Sequence, residues 1–277
     1  MPAHTRDAVG TGPVTLTDPL SLAWLDWMDG SRIPAHTVAR RRAVLRSIGN
    51  AGAATRGDVE TWWTSRAHLS AATRANDLAC LRSFYRWAIR WEHRGDDPSI
   101  RLDAPKVAKG LPHPTSRTDL RKLLEGALPP DLTRAVALGA YAGLRVSEVA
   151  ALDWRDVDLE ARRARVLGKG QKWRLVALGV ILIDYLLPDT GRNVVTGTDE
   201  VYSAAQLQRR VNRAMKVAGV DGTFHSLRHR YGTLAYQATL DLVAVGRQMG
   251  HTSPVTTVIY AAASDDTADI IAEAVAR

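Results

Sequence analysis

Between Asp96 and Ser116 the sequence sets Pro98, Pro105, Pro112 and Pro114 among small and polar residues, with Lys106 and Lys109 between them. Proline fixes φ and offers no backbone N–H, so neither a helix nor a central strand runs through such a stretch. It reads as a linker, and it divides the 277 residues into two parts, each long enough to bury its own core. The organisation expected is a loose N-terminus over 1–15, a helical domain over 16–95, a linker over 96–116 and a second domain over 117–277.

Four helical patterns fill the first part. Asp18 stands as an N-cap before Leu20, Leu22, Leu25 and Trp27, and a second pattern, His36–Ile48, carries Arg40, Arg41, Arg42 and Arg46. Thr55 caps a third, whose Asp58 and Glu60 lie beside the positive end of the helix dipole. The longest covers Ala71–Trp91. There Leu78, Leu81, Tyr85 and Ala88 recur at three and four and mark one buried stripe, while Arg82, Arg86 and Arg90 line another face. Such a row either follows a phosphate backbone or is simply a solvated face.

The formal charge of +8 favours a polyanionic partner, nucleic acid or an anionic membrane surface. Residues 1–110 hold 16 Lys+Arg against 11 Asp+Glu, and 111–277 hold 21 against 18, so the smaller part is the more basic. No run of eighteen apolar residues and no signal-peptide pattern occurs, which leads to the expectation of a soluble intracellular protein with no membrane partner. The single cysteine, Cys80, sits beside Leu78 and Leu81 and reads as a buried thiol. Neither a cysteine cluster nor an HExxH pattern is present, so no metal site is indicated.

The second part begins with helical patterns at Thr118–Glu125 and Pro130–Tyr141. Short strands follow at Val157–Leu159, Ala164–Leu167 and Trp173–Ala177, the last two joined by the turn Gly168-Lys169-Gly170-Gln171. Helical patterns resume at Ala204–Val217, His225–Thr239, Leu242–Met249 and Pro254–Ala261, with Ser253-Pro254 opening the last of these, and a short amphipathic helix is expected over Asp265–Val275. The fold class is therefore mainly α with a small antiparallel β-sheet.

Four local patterns in this part bear on chemistry. Arg145 follows a glycine break in Gly143-Leu144-Arg145-Val146-Ser147-Glu148 and is either a site arginine or an ordinary solvated one. Lys169 sits at a hairpin tip, where many lysines serve only solubility. His225 and Arg228 share a helix face at i, i+3, and a satisfied buried histidine is the plain alternative. Tyr260 follows Gly250-His251 on a short helix, where a tyrosine is ordinarily core.

Taken together, the order Arg, Lys, His-x-x-Arg, His, Tyr over the whole second part resembles the catalytic box of the tyrosine recombinases, the phage-integrase family. Gly-Leu-Arg-Val-Ser-Glu, Gly-Lys-Gly, His-x-Leu-Arg-His and Gly-His…Thr-Thr…Tyr carry the likeness. Met249, Gln171 and the pair Ala261-Ala262 depart from the usual residues but fall on no position of the box. The resemblance implies Arg145, Lys169, His225, Arg228, His251 and Tyr260 as catalytic, Tyr260 being the nucleophile and Glu148 a supporting carboxylate.

It further implies a helical core-DNA-binding domain opposed to an α+β catalytic domain. Arg40, Arg41, Arg42, Arg46, Arg82, Arg86 and Arg90 would face DNA. The partners implied are double-stranded core attachment sites, a homotetramer on DNA and an accessory directionality factor. Neither ATP nor a cofactor is called for, because the phosphotyrosine keeps the bond energy. The location implied is the host cytoplasm, on the nucleoid. Because the helical pattern starts near Leu16, an enzyme without an arm-binding domain is expected. Within this resemblance a phage or mobile-element integrase leads. A Xer-like dimer resolvase, a type IB topoisomerase and a silent DNA-binding protein are the alternatives.

Overall fold

The computed structural model describes residues 15–31, 33–107, 113–168, 170–186, 191–251 and 255–262. The expected loose N-terminus apart from Thr15, the Ser253-Pro254 pair, Lys169 and the Asp265–Val275 helix fall outside the described residues. The chain divides into two compact units, Met1–Lys109 and Gly110–Arg277.

The first unit is four helices, α1 (Pro19–Gly30), α2 (Ala35–Ile48), α3 (Arg56–Ser65) and α4 (Ala71–Arg90). Helix α1 starts where Asp18 accepts from the N–H of Leu20 and Ser21, each at 3.2 Å, and the same carboxylate accepts from Gly52 N–H at 2.8 Å. One side chain thus caps a helix and ties down the loop after α2. The Thr55–Asp58 capping box opens α3. The core is built on α4, whose Leu78, Leu81, Tyr85 and Ala88 are fully buried against Trp24, Leu25, Met28, Leu45 and Val59. Cys80 is buried too, and burial pushes its thiol up to about 12. Helix α1 buries Ser21, Trp24, Leu25 and Met28 on one face of its 3.6-residue turn and leaves Trp27 44% exposed.

The second unit is organised around α6 (Pro130–Tyr141), which packs against α5 (Arg117–Glu125), the one-turn helices α7 (Val146–Ala150) and α8 (Val180–Ile183), α9 (Ala204–Val217) and α10 (Phe224–Thr239). Gly139 lets α10 come close: a Cβ there would lie 3.0 Å from the Phe224 ring. Strands β1 (Val157–Asp158), β2 (Arg163–Leu167) and β3 (Trp173–Ala177) form an antiparallel sheet in chain order. Its inward face carries Ala164, Val166 and Val176. Helices α11 (Leu242–Met249) and α12 (Val255–Ala262) complete the unit with α10 and share a small separate core of Tyr236, Val245, Met249 and Tyr260. Helices α7 and α8 carry no periodic signal because each is a single turn.

No helix among the described residues is long and apolar enough to cross a membrane. Asp18→Ala is expected to destabilise the first unit by about 2 kcal/mol, since it removes a cap and leaves Gly52 N–H without its acceptor. Urea denaturation followed by tryptophan fluorescence checks this, six of the eight tryptophans lying in that unit.

Candidate active site

Gly143, at φ +64°, turns the chain out of α6, and Arg145 then occupies the N-cap position of α7. Glu148, one turn on, accepts from Arg145 N–H at 2.8 Å and from Arg145 Nη1 at 2.9 Å. The i, i+3 spacing that caps the helix therefore also fixes the arginine. Its Nη2 donates to Gly250 O at 2.8 Å and its Nη1 to Met249 O at 3.3 Å, and the side chain stays 30% exposed.

Arg228 reaches the same point from α10. It is almost fully buried, donates to Met249 O at 2.8 Å and to Gly143 O, and lies 4.0 Å from Glu148 Oε2. Desolvation and the neighbouring Arg145 charge bring its pKa down to about 10, so it remains a cation at neutral pH. The expected arginine pair thus converges on the carbonyl ends of α11, where Gly250 at φ +68° ends the helix. His251 follows directly. Its Nδ1 lies 2.8 Å from Thr257 Oγ1 of α12, and desolvation, with the charges of Arg228, Arg145 and Arg174, lowers it to about 4.

Tyr260 closes the site. Its ring is 1% exposed and lies between His251, parallel at 6.1 Å, and His229, edge-on at 5.9 Å. It rests on Gly232, where a Cβ would come within 2.6 Å of the ring's Cε1 and closer still to Cζ; glycine alone leaves that room. Burial raises the phenol above its ordinary pKa, and Arg228 and Arg145 oppose the rise. His225 is exposed, with its ring 4.3 Å from that of His229, and desolvation with Arg228 and Arg145 lowers its pKa. Five of the six expected residues therefore lie around one spot on α7, α10, α11 and α12. Lys169, in the β2–β3 turn, lies outside the described residues.

Four participants were not among the expected site residues: Arg174 and Gly232, and also His229 and Thr257, which stood inside the motif strings without an assigned role. Arg174 spans both oxygens of Glu148 at 2.9 Å each. Strand alternation carried the signal, since Arg174 falls two residues before the buried Val176 and so on the inward face. His229 is i+4 from His225, and its Nδ1 is buried without a partner. The N-terminal arginines differ among themselves. Arg40, Arg46, Arg86 and Arg90 are exposed and Arg42 is half-buried. Arg41 lies over the Trp24 ring at 5.1 Å, and Arg82 donates to Leu102 O, so both are partly held within their own unit.

The phage integrase family model matches residues 126–267. A tyrosine recombinase XerC of Xanthomonas campestris pv. campestris is 30% identical over 289 residues, 92% of this chain and 89% of that protein. A tyrosine recombinase XerC of Corynebacterium glutamicum is 33% identical over 208 residues, 69% of this chain and 68% of that protein. Among solved structures, a lambda integrase dimer bound to a COC′ core site has a TM-score of 0.71 at 18% identity, over 86% of this chain and 95% of that one. The XerH recombinase bound to palindromic difH has a TM-score of 0.66 at 20% identity, over 85% of this chain and 79% of that one. The chain belongs to the phage integrase family, and it is a tyrosine site-specific recombinase by that membership.

Glu148→Gln keeps the shape of the side chain but removes the carboxylate that pairs with three guanidinium groups among the described residues. It is expected to destabilise the second unit by about 3 kcal/mol, read by calorimetry on the full chain.

Proposed function

We propose that the chain cuts and rejoins double-stranded DNA at core attachment sites through a covalent bond between Tyr260 and a DNA 3′-phosphate. The observation that carries the reading is the meeting of Arg145 and Arg228 at one carbonyl, with the Tyr260 ring packed one helical turn beyond Arg228. Two permanently cationic forks so close together suit the non-bridging oxygens of one phosphate.

In the first step the Tyr260 oxygen bonds to phosphorus and the bond from phosphorus to the 5′-oxygen breaks. The phenol proton goes to His225, whose lowered pKa keeps it neutral and able to accept at neutral pH. Lys169 gives a proton to the departing 5′-oxygen, and His251 donates a hydrogen bond to the phosphate. In the second step the 5′-hydroxyl of a partner strand attacks the phosphotyrosine and Tyr260 is released. The number of phosphorus–oxygen bonds is unchanged throughout, so no ATP is consumed. Glu148 holds the arginines in place. The exposed Arg40, Arg46, Arg86 and Arg90, with Arg42, contact the DNA backbone, and Arg41 and Arg82 join them at the margin. Exchange between two duplexes requires four cleavages and hence a tetramer on DNA, and an accessory directionality factor completes this reading.

The sites recombined are those of a phage or mobile element, and the chain acts as its integrase on the host nucleoid. A second reading, resolution of chromosome or plasmid dimers, is favoured by the identity to XerC proteins. Plasmids carrying either two unlike attachment sites or two copies of one site separate them. The integrase reading expects recombination of the unlike pair, whereas efficient recombination of the identical pair alone makes the chain a resolvase.

The chemistry itself is tested on a duplex nicked near the crossover, which traps the cleaved strand. Wild-type protein is expected to become covalently attached to the DNA 3′-end, and Tyr260→Phe to give no attached product by denaturing electrophoresis. Attachment by the Phe variant would remove Tyr260 as nucleophile.

A further inference from the structure

We propose that Arg174 is a further positioning residue of the cleavage reaction, one that seats the start of the β2–β3 turn, at Gly168, against the phosphate-binding arginines. Every nitrogen of its guanidinium is engaged. Nη1 and Nη2 each donate to Glu148 at 2.9 Å, and Nε donates to Gln248 O at 3.2 Å. These bonds tie the guanidinium to Glu148 on one side and to α11 on the other, so that it links β3 to the carboxylate that fixes Arg145.

The guanidinium is enclosed by backbone on two sides. A Cβ on Gly250 would lie 2.8 Å from Arg174 Cζ, and a Cβ on Gly168 would lie 3.2 Å from Arg174 Nη1 and 3.8 Å from Glu148 Oε1. Gly168 is the first residue of the turn, and its N–H donates to Lys172 O at 2.8 Å, closing the loop. Gly170, at φ +77°, makes the reversal. The start of the turn therefore abuts the same carboxylate that fixes Arg145. Farther along β3, Gln248 bonds both the N–H and the C=O of Ala177, at 3.3 and 3.1 Å, so the strand is pinned to α11 at two points. Of the two, Arg174 is the one nearer the turn.

The inference rests on the proposed role of Lys169, which belongs to this turn, as proton donor to the leaving oxygen. That dependence supplies the test. An alkoxide leaves poorly without a proton, whereas a thiol, with a pKa of about 8.5, leaves as the thiolate unaided. Replacing the bridging 5′-oxygen at the crossover by sulfur therefore spares any defect confined to proton donation. The measurement is the rate of covalent attachment by full-length protein to paired oxygen and sulfur duplexes. The variants are Arg174→Ala, Arg174→Lys, Gly168→Ala, Lys169→Ala, Arg145→Ala and Tyr260→Phe.

Arg174→Ala is expected to slow attachment to the oxygen duplex about 100-fold and to recover most of the wild-type rate on the sulfur duplex, as Lys169→Ala does. Arg174→Lys is expected to show the same pattern, because one ammonium cannot span both carboxylate oxygens. Gly168→Ala, which keeps all charges and crowds the guanidinium with a Cβ 3.2 Å from Nη1, should show the same pattern to a smaller degree even if Arg174→Ala fails to fold. Arg145→Ala should be slow on both duplexes. Equal slowing of the Arg174 and Gly168 variants on both duplexes would overturn the proposal. Lys169→Ala without sulfur rescue, or attachment by Tyr260→Phe, would instead strike the underlying reading.

Discussion

Three guanidinium groups crowd one buried carboxylate. Arg174 spans both oxygens of Glu148, Arg145 shares one of them, and Arg228 lies 4.0 Å away. Burial acts to raise the Glu148 pKa, but the bonds from Arg174 and Arg145 and their charges outweigh it, and the carboxyl is held below its ordinary value. One negative charge holds three positive ones close without neutralising them. The excess is what a pre-formed phosphate receptor needs, because donors already fixed need not reorganise when charge builds up on a phosphorane-like transition state. The carbonyls of Met249 and Gly250 do the rest. They accept from Arg145 and Arg228 and hold both cations at the end of α11.

The nucleophile is positioned by a different and weaker device. Tyr260 belongs to a small core shared by α10, α11 and α12, apart from the main core of the unit. Its ring is located by contact: Gly232 beneath it, and His229 and His251 on either side. Small satellite cores open at lower free energy than main ones. Met249, whose carbonyl accepts from both arginines, belongs to the same small core, so the nucleophile and the cation cluster meet at one packing unit.

Much of this was legible in the sequence, and the parts that were not share a cause. The buried stripe of α4 follows helical periodicity, and Asp18 and Thr55 mark helix starts by their own hydrogen bonds, so these features need only local physics. The order of Arg145, His225, Arg228, His251 and Tyr260 was readable as a motif. Arg174 was not, because its meaning depends on a carboxylate 26 residues away. Gly232 was hidden for a similar reason, its empty space mattering only once Tyr260 packs on it. Arg82 shows the converse: a row seen on a helical wheel does not reveal that one member bonds back to Leu102 O.

The central claim is that Arg145 and Arg228 serve one phosphate with Tyr260 in line behind it. A crystal structure of the Tyr260→Phe variant on an uncleaved core-site duplex measures this directly. Both guanidinium groups should bond non-bridging oxygens of the phosphate at the crossover, with the para carbon of residue 260 placed so that a restored hydroxyl would stand about 3–3.5 Å from phosphorus. Arginines bound to two different phosphates, or a ring turned away from the strand with no subunit supplying another, would contradict it.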